Sequence, residues 1–278
     1  MNSARPLQYH NRMELYLGTG GYSTSDWNGV LYPEDAKSSQ YLGLYAEHFN
    51  AVELNSSFYA IPGTKAFAGM VKKSHERVRF SVKLHSTMTH ERNADGELYG
   101  RLFESVAPLR DAGMLGPFLA QFPYSFHRTP ENRVYLKTLT DRFAEAGEAL
   151  AVEFRTADWH LPEVYEALEK GGLIAVSVDY PPLPNMPKPA LLKTSTTAYV
   201  RLHGRNERTW YGGKSAAERH DYLYSKDELR PWVQDVVESD LEQVYLMFLN
   251  TTKGHALKNL KMMGELFGEA GVDAPVSL

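Results

Sequence analysis

Polar side chains recur at every second position in several otherwise apolar segments of the chain. In one segment Arg201 and His203 alternate with Val200 and Leu202, and residues two apart in a strand lie on the same face. An arginine fork binds carboxylate or phosphate, and a histidine titrates near neutral pH. This pattern therefore indicates a ligand-binding or acid–base site on one face of a strand.

Similar polar residues lie late in other apolar segments. They are Glu53, Asn55, Lys83, His85, Gln121, Glu153, Arg155, Asp179 and Asn250. Burying an unpaired charge is strongly unfavourable, so the acids and bases among them must pair with one another or with a ligand. Two interpretations stay open, namely a ligand site and a neutral network of ion pairs that only fills the interior of the fold.

Four of these residues are predicted to be catalytic, and they are Glu53, Glu153, Asp179 and His203. A carboxylate acts as a general base when burial raises its pKa, and a histidine exchanges protons near neutral pH. Each also has a simpler interpretation. A strand glutamate beside Arg155 is commonly its ion-pair partner, and a buried histidine can be a neutral hydrogen-bonding group.

Ten residues are predicted to bind the ligand, and they are Asn55, Lys83, His85, His90, Gln121, Arg155, Arg201, Arg205, Tyr211 and Asn250. Arg201 and Arg205 could clamp a phosphate or carboxylate, although Arg205 lies beyond its strand and could be a solvated loop residue. Tyr211 could stack on a base or a sugar ring. Ordinary loop packing is the simpler interpretation of that tyrosine.

The cofactor stays open. His85, His90 and His203, together with the three carboxylates, are suitable ligands for a divalent metal. No pair of these residues has the HxH or HExxH spacing of known metal motifs. A divalent metal therefore fits the residue types but is not indicated by their spacing.

Eight apolar segments could position these residues, and helical patterns separate nearly all of them. The segments are 14–18, 51–54, 79–84, 117–122, 150–155, 173–179, 199–205 and 243–248. No tight hairpin turn joins any two of them, so parallel strands with crossover helices follow, and eight strands predict a closed (β/α)8 TIM barrel of the α/β class. We expect the apolar strand faces to pack on the helices and the polar faces to meet in the barrel at its carboxyl end, where active sites of this fold are built.

Composition excludes several classes of protein. The chain of 278 residues has no apolar run long enough to cross a bilayer, which takes about 20 residues, so no membrane partner is predicted. Zero cysteines exclude disulfides and thiolate sites and favour a cytoplasmic protein. The net charge of −4 gives no global signal for nucleic-acid binding, although a local basic cleft is compatible with it. Residues 1–12 are predicted to be a disordered lead-in, and 13–278 to form one barrel domain.

Seven motifs follow one another along nearly the whole chain. They are Gly18-Thr19 with Trp27 and Tyr32-Pro33; Val52-Glu53-Leu54-Asn55 with Phe58-Tyr59; Phe80-Ser81-Val82-Lys83 with Thr89-His90; Gln121-Phe122-Pro123; Glu153-Phe154-Arg155 with Trp159; Tyr199 to Arg205; and Asn250-Thr251. In this order the chain resembles the YecE-like family, the domain of unknown function seventy-two. The resemblance implies a TIM barrel without an established activity. At fold level the family is similar to metal-dependent barrels such as endonuclease IV and xylose isomerase, an analogy that assigns no activity.

The chain departs from the pattern of this family at two places. The family usually reads Gly-Thr-Ser-Gly-Trp where this chain has Gly18-Thr19-Gly20-Gly21-Tyr22. It usually has paired asparagines after the eighth strand, whereas the first of them is Leu249 here and only Asn250 is kept. Ligand contacts at these two places are therefore not inferred from the resemblance.

Three functions fit the residues. The first is a hydrolase or lyase acting on an anionic ligand such as a phosphoester or a nucleic-acid fragment, because basic residues lie near acid–base candidates. The second is a non-catalytic module that binds nucleic acid or a metabolite through aromatic loops. The third is a metal-dependent, sugar-processing barrel, and an inert polar plug is the remaining alternative. The substrate and the oligomeric state stay open.

Overall fold

A closed sheet of eight parallel strands forms the centre of the protein. The computed structural model describes residues 13–278 apart from the side chain of residue 216, so the lead-in predicted for residues 1–12 lies outside the described part. The strands are β1 (Glu14–Thr19), β2 (Ala51–Leu54), β3 (Arg79–Val82), β4 (Phe118–Gln121), β5 (Leu150–Glu153), β6 (Ile174–Asp179), β7 (Thr197–Leu202) and β8 (Gln243–Phe248).

The strand order shows how the barrel closes. The ladders run in the order β3-β2-β1-β8-β7-β6-β5-β4 and all are parallel. The two end strands meet through isolated parallel bridges, which pair Phe80 with Leu115 and Lys83 with Leu119. With helices between the strands, this is the predicted (β/α)8 TIM barrel, and the prediction of the fold is confirmed.

Helices of different length connect the strands. They are α1 (Tyr41–Tyr45), α2 (Thr64–Lys73), α3 (Ser86–Thr89), α4 (Gly96–Ser105), α5 (Ala107–Asp111), α6 (Pro130–Glu145), α7 (Pro162–Lys170), α8 (Ala216–Arg219), α9 (Lys226–Val237) and α10 (His255–Glu269). The side chains of Asp95, Thr129 and Ser225 cap α4, α6 and α9, and Ser225 forms a capping box with Glu228. None of the helices within residues 13–278 is both long and apolar enough to span a membrane.

The two faces of the sheet are buried in different surroundings. Val52 and Val200 belong to the apolar core between the strands and the helices. Inside the barrel, the rings of Tyr16, Tyr245 and Tyr199 stack with centroid distances of 4.5 and 5.9 Å. This aromatic stack fills the lumen below the carboxyl ends of the strands.

The side chains of strand β6 point to the opposite faces from those that the sequence predicts. Its register pairs Val176 with Tyr199 and Val178 with Arg201, and paired residues of neighbouring strands point to the same face. Val176 and Val178 therefore line the lumen, and Asp179 points to the helices. The prediction that Asp179 faces the lumen is wrong, because both faces of a parallel strand are buried and apolar residues can occupy either of them.

Candidate active site at the carboxyl end of the barrel

A cavity of about 500 Å³ opens at the carboxyl end of the barrel. Its lining contains seven of the predicted site residues, which are Asn55, Lys83, His90, Gln121, Arg155, Arg201 and His203. They come from the ends of β2, β3, β4, β5 and β7 and from the loop after α3. The structure thus brings together residues that are spread over about half of the chain.

Arg201 is the central group of this cluster and binds both buried glutamates. Its Nε and Nη2 donate to the two carboxylate oxygens of Glu53 at 2.8 and 2.7 Å, and its Nη1 donates to Glu153. The hydroxyl of Tyr199 donates to Glu53 at 3.0 Å, and that of Tyr180 donates to Glu153. Both glutamates are fully buried and Arg201 is 2% exposed, so the fork and the hydroxyls together replace the water that these charges have lost.

The acid–base state of the cluster follows from its burial and its charges. Burial alone would raise the pKa of Glu153, but Arg201, with His203 and Arg155, holds that pKa well below its ordinary value. Burial lowers the pKa of His203 well below its usual range, so its imidazole is neutral at neutral pH. Its ring stacks on Tyr180 at 4.5 Å. Its Nδ1 is buried and has no hydrogen-bond partner among the described residues.

Two further basic side chains face the cavity without a carboxylate at hydrogen-bonding distance. Nε of Arg155 lies 3.8 Å from Oε1 of Glu153, which is too far for a hydrogen bond, and it is buried without a partner in the described part of the chain. Nζ of Lys83 donates to Oε1 of Gln121 at 2.8 Å and lies 4.8 Å from the centroid of the Phe58 ring. Lys83 is therefore bound by a neutral amide, and Arg155 has only a distant carboxylate as a partner.

The cavity carries a surplus of positive charge. Arg219 also lines it, which gives four basic residues in the lining above the two buried glutamates. Asp26 lines the cavity too, but its side chain is exposed. Burial, followed by the charge of Arg201, lowers the pKa of Lys83 to about 8. The site is thus more receptive to an anion than the net charge of the whole chain indicates.

Two neutral histidines complete the polar lining. Burial, and then the charges of Lys83 and Arg155, lowers the pKa of His90 to about 4. Burial lowers the pKa of His220 to about 4 as well. Both rings are therefore neutral at neutral pH, and they can accept or donate hydrogen bonds without adding charge.

Tyr180, Arg219 and His220 are among the residues of the site that were not predicted. Tyr180 continues the alternation of Val176 and Val178. The predicted lumen face of β6 is the opposite one, so alternation from the sequence places Tyr180 outside the site. Arg219 and His220 lie in a polar stretch whose sequence has no periodicity that could place them. The Nδ1 of His220 is hydrogen-bonded to the main-chain oxygen of His203 at 2.7 Å, a contact that only the folded chain reveals.

Asp179 and Arg205 form a second fork, and it lies outside the barrel. Nε and Nη2 of Arg205 donate to Oδ1 and Oδ2 of Asp179 at 2.8 and 2.7 Å. Nε1 of Trp232 donates to the same carboxylate at 3.1 Å, and Nη1 of Arg205 lies 3.3 Å from Oε1 of Glu228 in α9. Neither member of this pair lines the cavity, which corrects the predicted location of both.

Three other predicted ligand-binding residues also lie outside the cavity. His85 caps α3, with its Nδ1 accepting from the main-chain nitrogen of Thr87. The side chain of Tyr211 is exposed. Nδ2 of Asn250 donates to the main-chain oxygen of Tyr222 at 2.7 Å. Their predicted placement is corrected because β3 and β8 end before His85 and Asn250, so strand alternation no longer decides where these side chains point.

The two departures from the YecE-like pattern lie against each other in the cavity wall. A Cβ atom at Gly20 would stand 2.2 Å from Cδ1 of Leu249, so the glycine leaves the space that this leucine fills. Nδ2 of Asn55 donates to the main-chain oxygen of Gly20 at 3.1 Å. The cavity wall is therefore apolar at Leu249 and polar at Asn55, and both of these residues lie next to Gly20.

The candidate metal ligands are not grouped as a metal site requires. Within the described part of the chain, no set of three or more histidine, aspartate, glutamate or cysteine side chains could hold a metal ion. The two glutamates nearest the cavity both point to Arg201. A divalent metal remains a prediction that rests on residue types alone.

The closed parallel barrel and the polar cavity at its carboxyl end define a TIM-barrel protein. The chain belongs to the family described as Protein of unknown function DUF72, whose model matches residues 16–277. The resemblance to the YecE-like family is thereby confirmed.

Relatives and solved structures agree with this assignment. UPF0759 protein YunF of Bacillus subtilis (strain 168) is 31% identical over 270 residues, which cover 91% of this chain and 94% of YunF. UPF0759 protein YecE of Escherichia coli (strain K12) is 25% identical over 219 residues, covering 70% of this chain and 76% of YecE. The crystal structure of a DUF72 family protein from Thermotoga maritima MSB8 matches with a TM-score of 0.83 and 37% identity, over 92% of this chain and 99% of that chain.

Proposed function

We propose that the protein is an enzyme of the hydrolase or lyase class that binds a small anionic, phosphate-bearing ligand at the carboxyl end of its barrel. The surplus of positive charge in the cavity carries this proposal, since Arg155 has a buried Nε without a partner and Lys83 meets only a neutral amide. Partly buried cations without an acid at hydrogen-bonding distance are poorly compensated, and a bound anion would offset their charge. The absence of cysteine further favours a cytoplasmic enzyme.

Each lining residue has a role in this proposal. Arg155 binds the anionic group, because a guanidinium matches the oxygens of phosphate and carboxylate. Lys83 and Arg219 add positive field at the same place. Asn55 and Gln121 offer amide groups to the uncharged part of the ligand.

His203 is the acid–base group of this proposal. Its ring is neutral at neutral pH, and its Nδ1 has no hydrogen-bond partner among the described residues, so that nitrogen is free to exchange a hydrogen bond or a proton with a ligand. Glu53 and Glu153 position Arg201 rather than act as bases, because their oxygens already accept hydrogen bonds from its guanidinium.

Titration of inorganic phosphate into the protein tests the anion site. We expect Arg155→Gln to bind phosphate at least about tenfold more weakly, because a hydrogen bond to a charged group contributes about 1.5–3 kcal/mol. Arg133→Gln is the matched control, since it makes the same change at an exposed position of α6 and should leave the affinity unaltered. Equal affinity of the two variants, or a wild-type protein that binds no phosphate, would contradict the proposal.

Binding of a single-stranded nucleic-acid fragment is the second candidate function. Tyr59 favours it, because this tyrosine lines the cavity and is 81% exposed, as a residue that stacks on a base would be. Binding of this kind should weaken steeply with salt. We expect Tyr59→Ala to lower the affinity for a short oligonucleotide and to leave phosphate binding unchanged. An oligonucleotide affinity that Tyr59→Ala does not alter would remove this candidate.

A further inference from the structure

Lys83 has a neutral hydrogen-bond partner, whereas several lysines on the outside of the protein pair with carboxylates. The Nζ atoms of Lys137, Lys226 and Lys253 lie 2.8, 2.6 and 2.6 Å from carboxylate oxygens. The Nζ of Lys83 donates instead to the neutral Oε1 of Gln121 at 2.8 Å, and no carboxylate among the described residues lies within ion-pair distance of it. A largely buried lysine without an acidic partner has an amine that is available for chemistry.

The groups around Lys83 favour the neutral form of its amine. The charged and titratable ones are Glu53 on β2, Glu153 and Arg155 at the end of β5, Arg201 on β7 and His90 after α3. Burial, and next Arg201, lowers the pKa of Lys83 to about 8, although the two glutamates act in the opposite direction. About a tenth of the amine is then neutral at about pH 7, against less than about a thousandth for an ordinary lysine.

The cavity offers this amine and an anion-binding group together. Arg155 lines the same cavity as Lys83, and the phenyl ring of Phe58 lies against the ammonium group at 4.8 Å. A substrate that is held at Arg155 by an anionic group would therefore present its neighbouring atoms to an amine that is partly shielded from water. Such positioning is what converts an ordinary amine into an efficient nucleophile.

We propose that Lys83 is the nucleophile of this site and that the substrate is a carbonyl compound that also carries a phosphate or carboxylate group. This inference rests on the proposed function, because Arg155 would bind the anionic group while Lys83 reacts with the carbonyl carbon. It narrows the proposed class to a lyase that works through a Schiff base.

The covalent step needs no reactant other than the substrate. The lone pair of the neutral amine attacks the carbonyl carbon, the π electrons of the C=O bond move to oxygen, and a proton passes from nitrogen to oxygen to give a carbinolamine. The C–O bond then breaks while the nitrogen lone pair forms the C=N bond. The leaving oxygen departs as water with the proton that was released when the ammonium became an amine. Overall, an ammonium and a carbonyl give a protonated Schiff base and water.

Borohydride trapping of the full-length protein tests this proposal. The protein is incubated with pyruvate or with dihydroxyacetone phosphate, reduced with sodium borohydride, and examined by intact mass and peptide mapping. We expect one reduced adduct per chain, located at Lys83. Added inorganic phosphate should slow its formation in the wild-type protein, because phosphate competes at Arg155. This competition needs no variant, so it stays informative if a substituted protein fails to fold.

Two substitutions separate the amine from its charge. Lys83→Arg keeps the positive charge but has no nucleophilic amine, so we expect phosphate binding to persist and the adduct to be lost. Lys188→Arg is the matched control at an exposed lysine and should form the adduct as the wild type does. Adducts spread over exposed lysines, or no adduct with either probe, would overturn the role of Lys83. If phosphate still binds in that case, the anion site stands. An adduct at Lys83 in a protein that binds no phosphate would contradict the anion site and support the nucleophile.

Discussion

The protein contains two arginine–carboxylate forks on opposite faces of the same sheet. Arg201 binds Glu53 inside the barrel and Arg205 binds Asp179 outside it, in both cases with two hydrogen bonds of 2.7–2.8 Å. The outer fork is completed by further protein groups, including Nε1 of Trp232. The inner fork lies below a cavity in which other basic residues have no acid at hydrogen-bonding distance. An arginine–carboxylate fork alone therefore does not indicate a ligand site. The charge balance of the residues around the fork indicates one.

The outer fork has a structural task that the inner one lacks. Asp179 ends β6, Arg205 follows β7, and Glu228 lies in the first turn of α9. The hydrogen bonds among these three residues fasten two strand ends to the start of a helix. The polar atoms in these hydrogen bonds are not available to a ligand. Next to the inner fork, by contrast, Arg155 and Lys83 face the cavity.

The largest expected effect comes from removing the cation of the inner fork. Arg201→Met leaves Glu53 and Glu153 buried without their counter-ion, and breaking a buried ion pair in this way costs about 3–5 kcal/mol. Urea unfolding of the variant measures the loss. The control is the triple variant that adds Glu53→Gln and Glu153→Gln, which should be more stable than the single variant because no charge stays unpaired. A single variant as stable as the wild type would show that the inner fork is not the buried charge cluster described above.

A smaller loss of stability is expected at the outer fork, without any loss of binding. Asp179→Asn should lower the free energy of unfolding by about 1–3 kcal/mol, because Arg205 keeps Glu228 as a partner. Phosphate affinity should not change, since Asp179 lies outside the cavity. Arg155→Gln should behave in the opposite way, with weaker phosphate binding and little loss of stability. If Asp179→Asn weakened phosphate binding as much as Arg155→Gln does, the distinction between the two faces would fail.

The smallest effect is a pH dependence that comes from a histidine on the cavity side. The pKa of His220 is lowered to about 4 in the folded protein, so the unfolded chain binds more protons below the usual histidine pKa. Stability should therefore fall as the pH drops, by about 1 kcal/mol between about pH 7.5 and about pH 5.5. The variant His220→Asn should lose this part of the acid sensitivity, as followed by thermal unfolding at the two pH values. His75→Asn, at an exposed histidine, should retain it, and equal behaviour of the two variants would contradict the assignment.

The barrel could be predicted from the sequence because its signals are local. Apolar segments such as 51–54 and 243–248 coincide with β2 and β8, and helical patterns between them exclude hairpins. Alternation also placed Glu153 and Arg201 correctly at the lumen. These predictions depend only on the periodicity of a strand and on the closure that eight parallel strands allow.

The rest of the site depends on contacts between distant residues. Alternation shows that Val178 and Asp179 point to opposite faces of β6, but not which face is the lumen, because both are buried. Pairing with β7 decides this. Likewise, His220 reaches the cavity through its bond to the main chain of His203, and no periodic pattern in a loop encodes such a contact.

The joint between β3 and β4 gives the cavity a further property. These strands meet through isolated bridges rather than a continuous ladder, and the bond from Lys83 to Gln121 crosses the same joint. A ligand that binds the amine of Lys83 must break its hydrogen bond to Gln121. That removes one of the contacts that hold β3 and β4 together. Ligand binding at Lys83 and local opening of the barrel between β3 and β4 are then coupled. Faster amide hydrogen exchange over residues 115–119 in the presence of a ligand would show this coupling.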